Sequence, residues 1–292
     1  KSLYQNGYPI SVVYTQPPQK SNRGQKINKS SIQGISETLN IEFRAPMFLK
    51  DNKEEYKYLK KLDADIAIVV AYGQIIPKEF LSLTKKGFIN IHASLLPKWR
   101  GAAPIQRSIM NLEKETGISI MRIGEKLDTG PVCNSYKIQV TAKDNAKTIS
   151  EKLSLLAAEK ILDNMDNILE DNIEFKEQNH KTATYASKIE KLEGKINWNS
   201  TAENIIGKIN GLYPSPGAWF VHKGERYKIL KAEIASGSGE IGKVVGDYLE
   251  ISCSNKKSIK ITEIQRQGKR PQNIGEFMLG SQIKKGSNLN NA

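Results

Sequence analysis

Asn90-Ile91-His92-Ala93-Ser94-Leu95-Leu96-Pro97-Lys98-Trp99-Arg100-Gly101-Ala102-Ala103-Pro104-Ile105 is the stretch on which the fold turns. It leaves an apolar run, sets an amide and an imidazole two residues apart, and breaks at Pro97 and Gly101. Side chains alternate along a strand with period two, so Asn90 and His92 are expected on one side. An amide and an imidazole converging at a strand's carboxyl end suit the stabilisation of a developing oxyanion. A structural histidine satisfied by its neighbours would read the same way, so the rest of the chain must decide.

Upstream, residues 64–71 are nearly all apolar, the mark of a strand covered on both faces of a parallel sheet. Residues 72–77 turn, 78–83 begin a helix, and 87–91 form the next strand. Downstream, 104–110 reads as a helix and 117–122 as a strand. This rhythm predicts an α/β fold with a Rossmann-like, open, parallel-rich sheet that binds ligands outside its strands' carboxyl ends. Before it come a β-branched strand at 10–15, a helix at 32–39, an extended piece at 41–43 and a helix at 54–62. After it, Leu127-Asp128-Thr129-Gly130-Pro131 is a tight bend leading into an extended segment at 132–140. Asp at such a bend commonly serves its own backbone. Residues 148–169 carry apolar side chains at helical spacing and close the first domain; core packing accounts for them.

Between 17 and 31 the chain holds Lys20, Arg23, Lys26 and Lys29 without an acidic residue. It reads as a long basic loop, either a solvated surface or a clamp for a polyanion. Residues 171–188 are polar and aperiodic, a linker with His180 facing solvent. Beyond them a helix at 201–210, with Ser200 as its cap, precedes short strands at 219–221, 226–235, 243–245, 248–252 and 260–265. Glycines punctuate these strands, which predicts a small antiparallel barrel. Lys256, Lys257, Lys260, Arg266, Lys269 and Arg270 form its densest basic cluster. The division expected is a catalytic domain at 1–170, the linker at 171–188 and the barrel-like domain at 189–292.

The 292 residues suffice for two cores, and 38% hydrophobic with 26% charged residues describes a globular chain. No apolar run is long enough to span a bilayer, so no membrane partner is expected. Cys133 and Cys253 suggest neither a disulfide nor a zinc framework, and a reducing cytoplasm is the expected setting. Three scattered histidines make no metal cluster, and no metal is expected. A net charge of +13 invites a polyanion such as nucleic acid.

Four motifs now stand together: Ala71-Tyr72-Gly73-Gln74-Ile75-Ile76-Pro77, Asn90 through Pro97, Arg100 through Gln106, and Leu127-Asp128-Thr129-Gly130. With them the chain resembles the folate-dependent formyltransferases, most closely those whose acceptor is the initiator Met-tRNA. The likeness extends over nearly the whole chain, including Pro214-Ser215-Pro216-Gly217-Ala218-Trp219. It implies a catalytic trio of Asn90, His92 and Asp128, and folate contacts at Ser94, Leu95, Leu96 and Pro97. It implies 10-formyltetrahydrofolate as co-substrate. It also implies tRNA contacts on the basic loop at Lys20, Arg23, Gly24 and Lys26, with Arg23 the critical one. The second domain is similar to the family's barrel-like, OB-type tRNA-binding domain, and a monomer is expected.

The sequence departs from the family at its start. Relatives open with an apolar strand and a Gly-Thr-Pro-type turn; this chain begins inside or after the first helix. The expectation is a fragment with compromised isolated folding and altered folate affinity. Competing readings are relatives acting on glycinamide ribonucleotide, on formyltetrahydrofolate by hydrolysis, or on amino sugars, and a non-catalytic RNA-binding module. The first lacks a barrel domain, the next two give no reason for an acid-free loop, and the last gives none for an intact trio.

Overall fold

The computed structural model describes residues 1–21, 26–281 and 283–290. The chain divides into two compact units, one of residues 1–102, 117–137 and 153–185, the other of 103–116, 138–152 and 186–292.

The first unit opens with α1 (Ser2–Gln5) and β1 (Val13–Tyr14). There follows an antiparallel ladder of β2 (Gln19–Ser21) and β3 (Lys26–Asn28), with Gln19 opposite Asn28 and Ser21 opposite Lys26. The segment expected as an unstructured loop therefore contains paired backbone. Arg23 and Gly24 lie outside the described residues. Ser30 caps α2 (Ser31–Thr38), its hydroxyl accepting from the Gln33 amide at 3.0 Å. β4 (Phe43–Arg44) runs parallel to β1. α3 (Lys53–Leu62) begins on an Asn52 cap with Glu54 and Glu55 in its first turn and ends with Lys60 and Lys61, charges that suit the helix dipole. Buried Glu55 ties these pieces together, accepting from Arg44 at 2.7 and 2.8 Å and from the Tyr14 hydroxyl at 2.6 Å.

The sheet that carries the site comprises β5 (Ala67–Val69), β6 (Phe88–His92), β8 (Glu115–Arg122) and β9 (Val132–Gln139), in the order β5-β6-β8-β9. Between them in sequence lie α4 (Lys78–Leu81), β7 (Arg100–Gly101) and α5 (Pro104–Met110). β6 is parallel to β5, with Val69 opposite Asn90, and antiparallel to β8, with Asn90 opposite Met121 and His92 opposite Ser119. β8 therefore enters where β6 leaves, and the chain from 93 to 101 stays at that end of the sheet. Two expectations change. β8 does not extend the parallel alternation, and β5 is the sheet's edge, half-buried with Val70 exposed, rather than covered on both faces. Ile89, Ile118, Ile120 and Met121 form the buried centre.

α6 (Ala146–Leu169) starts two residues before the apolar spacing suggests. Asn145 is the reason: its Oδ1 accepts from the Lys147 and Thr148 amides at 3.0 and 3.1 Å, and the Thr148 hydroxyl accepts from the Asn145 amide at 3.0 Å. That reciprocal pair is a capping box.

After β10 (Tyr185–Ala186), the second unit holds α7 (Ala202–Leu212). Its cap is Thr201, which accepts from the Asn204 amide at 3.2 Å, and not Ser200 as expected. Gly207 and Gly211 are fixed by α5. A Cβ at Gly207 would lie 2.7 Å from Leu112 Cδ2, and one at Gly211 2.6 Å from Met110 Cγ and 2.9 Å from the Gln106 carbonyl. β11 (Ala218–His222), β12 (Glu225–Ala235), β13 (Val244–Gly246), β14 (Glu250–Ser252) and β15 (Ser258–Arg266) form an antiparallel sheet in the order β11-β12-β15-β14-β13. β16 (Gln272–Asn273) adds to β15, and α8 (Ile274–Leu279), capped by Asn273, is an element the glycine-rich strand pattern did not announce. Trp198, Ile205, Phe220, Ile229, Ile251 and Ile261 lie in one hydrophobic core among the described residues. Among the described residues no helix is long and apolar enough to cross a membrane.

Candidate active site

β6 delivers the two residues that the sequence singles out. Alternation puts the buried Ile89 and Ile91 on one face and Asn90 and His92 on the other. Asn90 is half-buried, and within the described residues its side-chain amide makes no hydrogen bond, so a donor remains available there. His92 is 6% exposed. Its Nε2 lies 2.9 Å from the Trp99 carbonyl, an oxygen that can only accept, so Nε2 carries a hydrogen. Trp99 reaches that position with φ +61, its amide held by the Thr184 hydroxyl at 2.9 Å.

With Nε2–H fixed, the neutral ring presents the lone pair of Nδ1. That atom lies 3.7 Å from Asp128 Oδ2, too far for a hydrogen bond but within ion-pair reach. A proton accepted at Nδ1 would thus be placed against a carboxylate. The structure brings Asn90 and His92 together on one strand and brings Asp128 to the ring from a loop distant in sequence.

Asp128 does not make the local turn its sequence setting suggests. Its Oδ2 accepts from the Gly101 amide at 2.8 Å, so the carboxylate is pinned to the loop that follows β6. The residue has φ +49, a left-handed backbone that costs a non-glycine residue about 1–2 kcal/mol. The following Gly130 must lack a side chain, because a Cβ there would sit 2.0 Å from the Arg122 carbonyl.

The expected folate edge divides in two. Ser94 is fully buried and its hydroxyl donates to the Lys98 carbonyl at 2.6 Å; Ser119 donates to the Ser94 carbonyl at 2.8 Å and accepts from the Leu96 amide at 3.0 Å. Ser94 shapes the turn. Leu95, Leu96 and Pro97 are half-buried and retain apolar surface. Of the expected tRNA contacts, Lys20 and Lys26 lie on the β2–β3 ladder and Arg23 is outside the described residues.

Two participants had no role in the sequence reading. Arg100, 2% exposed, donates to Gln178 Oε1 from Nε at 3.1 Å and Nη2 at 2.7 Å. The Gln178 amide nitrogen donates to the Asp128 carbonyl at 2.9 Å and the Gly130 carbonyl at 2.7 Å. Arg100 also stands 2.9 Å from His180 Nδ1, and since a guanidinium only donates, Nδ1 must accept. Gln178 and His180, in the expected linker, thus hydrogen-bond to Arg100, and His180 is solvent-exposed. Gln178 sits in an aperiodic polar run; the one usable signal was that a buried arginine requires an acceptor. No group of three or more potential metal-ligating side chains occurs among the described residues.

Comparison with known proteins gives the family. The family profile described as "Formyl transferase" matches residues 2–164, and "Formyl transferase, C-terminal domain" matches 188–282. The methionyl-tRNA formyltransferase of Pelagibacter ubique is 72% identical over 291 residues, spanning 100% of this chain and 94% of the relative. That of a Jannaschia species is 39% identical, spanning 97% of this chain and 92% of the relative. In three dimensions the chain is similar to WlaRD, a sugar 3N-formyl transferase solved in the presence of dTDP and 5-N-formyl-THF. The TM-score is 0.69 at 20% identity, over 92% of this chain and 94% of that one, a likeness of fold. The chain belongs to the formyl transferase family, on its methionyl-tRNA formyltransferase branch.

Proposed function

We propose that this chain transfers a formyl group from 10-formyltetrahydrofolate to the α-amino group of methionine on initiator Met-tRNA. The observation that carries the chemistry is an Asn90 amide without a hydrogen bond among the described residues, on the strand of a His92 whose Trp99 bond leaves Nδ1 turned to Asp128. The acceptor follows from relatives that share 72% and 39% identity along their length.

The neutral amine attacks the formyl carbon, forming a C–N bond and a tetrahedral centre with an anionic oxygen. Asn90 donates to that oxygen, and His92, once protonated at Nδ1, adds positive charge; one such donor contributes roughly 2.7–4 kcal/mol of barrier lowering. Asp128 stabilises the imidazolium and takes part in moving the amine's proton, directly or through water. Collapse breaks the bond to N10 of the folate, which leaves with the proton the amine gave up. Atoms balance without a covalent enzyme intermediate. Leu95, Leu96 and Pro97 offer the pterin-bearing substrate an apolar edge, with Ser94 shaping it.

Lys20, Arg23 and Lys26 are the proposed tRNA contacts of the first domain, residues 1–170, and 189–292 the tRNA-binding domain. The proposed setting is the cytoplasm, and the proposed state a monomer. Formyl transfer measured side by side with Met-tRNA, glycinamide ribonucleotide and an amino-sugar nucleotide tests the reading. Transfer to Met-tRNA is expected, and transfer to one of the other acceptors in its place would overturn it.

A further inference from the structure

We propose that Gln178, anchored by Arg100, is a positioning residue for formyl transfer: its amide clamps the Asp128-Thr129-Gly130 backbone so that the Asp128 carboxylate addresses His92. This rests on the formyl-transfer reading of the site.

Gln178 is 8% exposed and every hydrogen-bonding capacity of its amide is used. The oxygen accepts twice from Arg100, and the nitrogen donates once to each of two carbonyls, those of Asp128 and Gly130. The orientation of that amide is chemically determined. A guanidinium has no acceptor, so the oxygen must face Arg100 and the NH2 group must face the loop. The loop needs the hold: Asp128 is left-handed at φ +49, and a segment kept off its preferred backbone persists only when its surroundings over-determine it. The clamp fixes the backbone on both sides of Thr129, while the Gly101 amide fixes the Asp128 side chain. Arg100 and Gly101 are adjacent, so one dipeptide governs the loop through both its carboxylate and its carbonyls.

The residue type is informative. A glutamate at 178 would pair with the buried guanidinium at least as well, and electrostatically better. Yet it carries no N–H, and it would turn a carboxylate oxygen toward two carbonyls. Only an amide satisfies Arg100 and the loop together. Gln178→Glu therefore separates an anchor for Arg100, which it preserves, from a clamp on Asp128, which it abolishes.

The test is steady-state formylation by the full-length protein with both substrates varied, alongside thermal melts. The unmodified enzyme is measured first; failure to formylate Met-tRNA sinks the functional reading and leaves the clamp to be judged by the loop's structure. With that activity present, Q178E is expected to lower kcat about 10–100-fold, with each KM within about threefold, because the loss falls on the transition state. In an Asp128→Asn background the same change is expected to cost less than about threefold more, since both act through one carboxylate. Retained kcat, a loss confined to KM, or losses that multiply in the double variant would each overturn the proposal. Should Q178E not melt cooperatively, the paired variant Arg100→Met with Gln178→Met replaces both polar partners by apolar groups of similar length. It carries the same kinetic expectation and the same refutation.

Discussion

A single carbonyl, that of Trp99, decides which nitrogen of His92 can take up a proton. In the proposed mechanism, removing the acid-base partner is therefore distinct from removing the oxyanion donor. Asn90→Ala should lower kcat about 100–1,000-fold, the usual cost of an oxyanion-hole donor. Its effect on the tRNA dissociation constant should stay within about threefold; parallel losses in both would remove Asn90 from the chemistry. Gly130→Ala belongs to the same scale. A Cβ placed 2.0 Å from the Arg122 carbonyl forces the backbone to move, at a cost on the order of 1–3 kcal/mol. A melting temperature unchanged by that substitution would contradict the packing described. That Asp128 lies beside His92, on the strand that also carries Asn90, was legible from the motifs. Gln178 was not, because nothing in a string of polar letters marks the one side chain that a buried guanidinium has captured.

Among the elements, α6 shows how a helix start is set by electrostatics as well as by a cap. Burial pushes Asp144 up, but the Lys152 ammonium at 2.6 Å, the Thr141 amide and hydroxyl and the Thr148 hydroxyl together bring its carboxyl down to about 2. A carboxylate held below its unfolded value of roughly 3.9 contributes stability fully present above that value. The contribution is lost as pH falls through the folded value near 2. Asp144→Asn should accordingly destabilise the protein at neutral pH and flatten the fall in denaturation midpoint between about pH 4 and about 2. An unchanged acid limb would refute the network. α7 offers a reversed sign: glycine to alanine in a helix ordinarily gains up to roughly 1 kcal/mol. Gly211→Ala should instead cost about 1–3 kcal/mol, since its methyl meets Met110 and the Gln106 carbonyl. Denaturant melts decide the sign. Elements with strong periodicity, such as α3 and β15, were legible. The start of α6 was blurred because Asn145 lies outside the apolar stripe, and α8 was hidden by its brevity.

At the scale of the molecule, the +13 charge and the arrangement of basic residues at both ends of the chain argue for a salt-sensitive encounter with tRNA. Arg23→Ala should weaken tRNA binding and reduce the slope of log affinity against log salt by roughly one, the signature of one lost phosphate contact. A selective loss of folate affinity would reassign the loop. The sequence pattern conveyed the fold class, but not which strand of the first sheet stands at its edge. That depends on which neighbours a strand finds, and an apolar run such as 64–71 reads alike in the middle of a sheet and at its margin.

β6 has a neighbour on each side, and Asn90 sits in register with Val69 across one ladder and Met121 across the other. Backbone locked into two ladders yields its amide protons to solvent only through large openings. In deuterium-labelling experiments the peptide spanning 88–92 should accordingly be among the last to take up isotope, and the loop at 127–130 should exchange sooner. Asn90, the proposed oxyanion donor, would then keep time with the fold itself, whereas Asp128, which faces His92, runs on a faster clock.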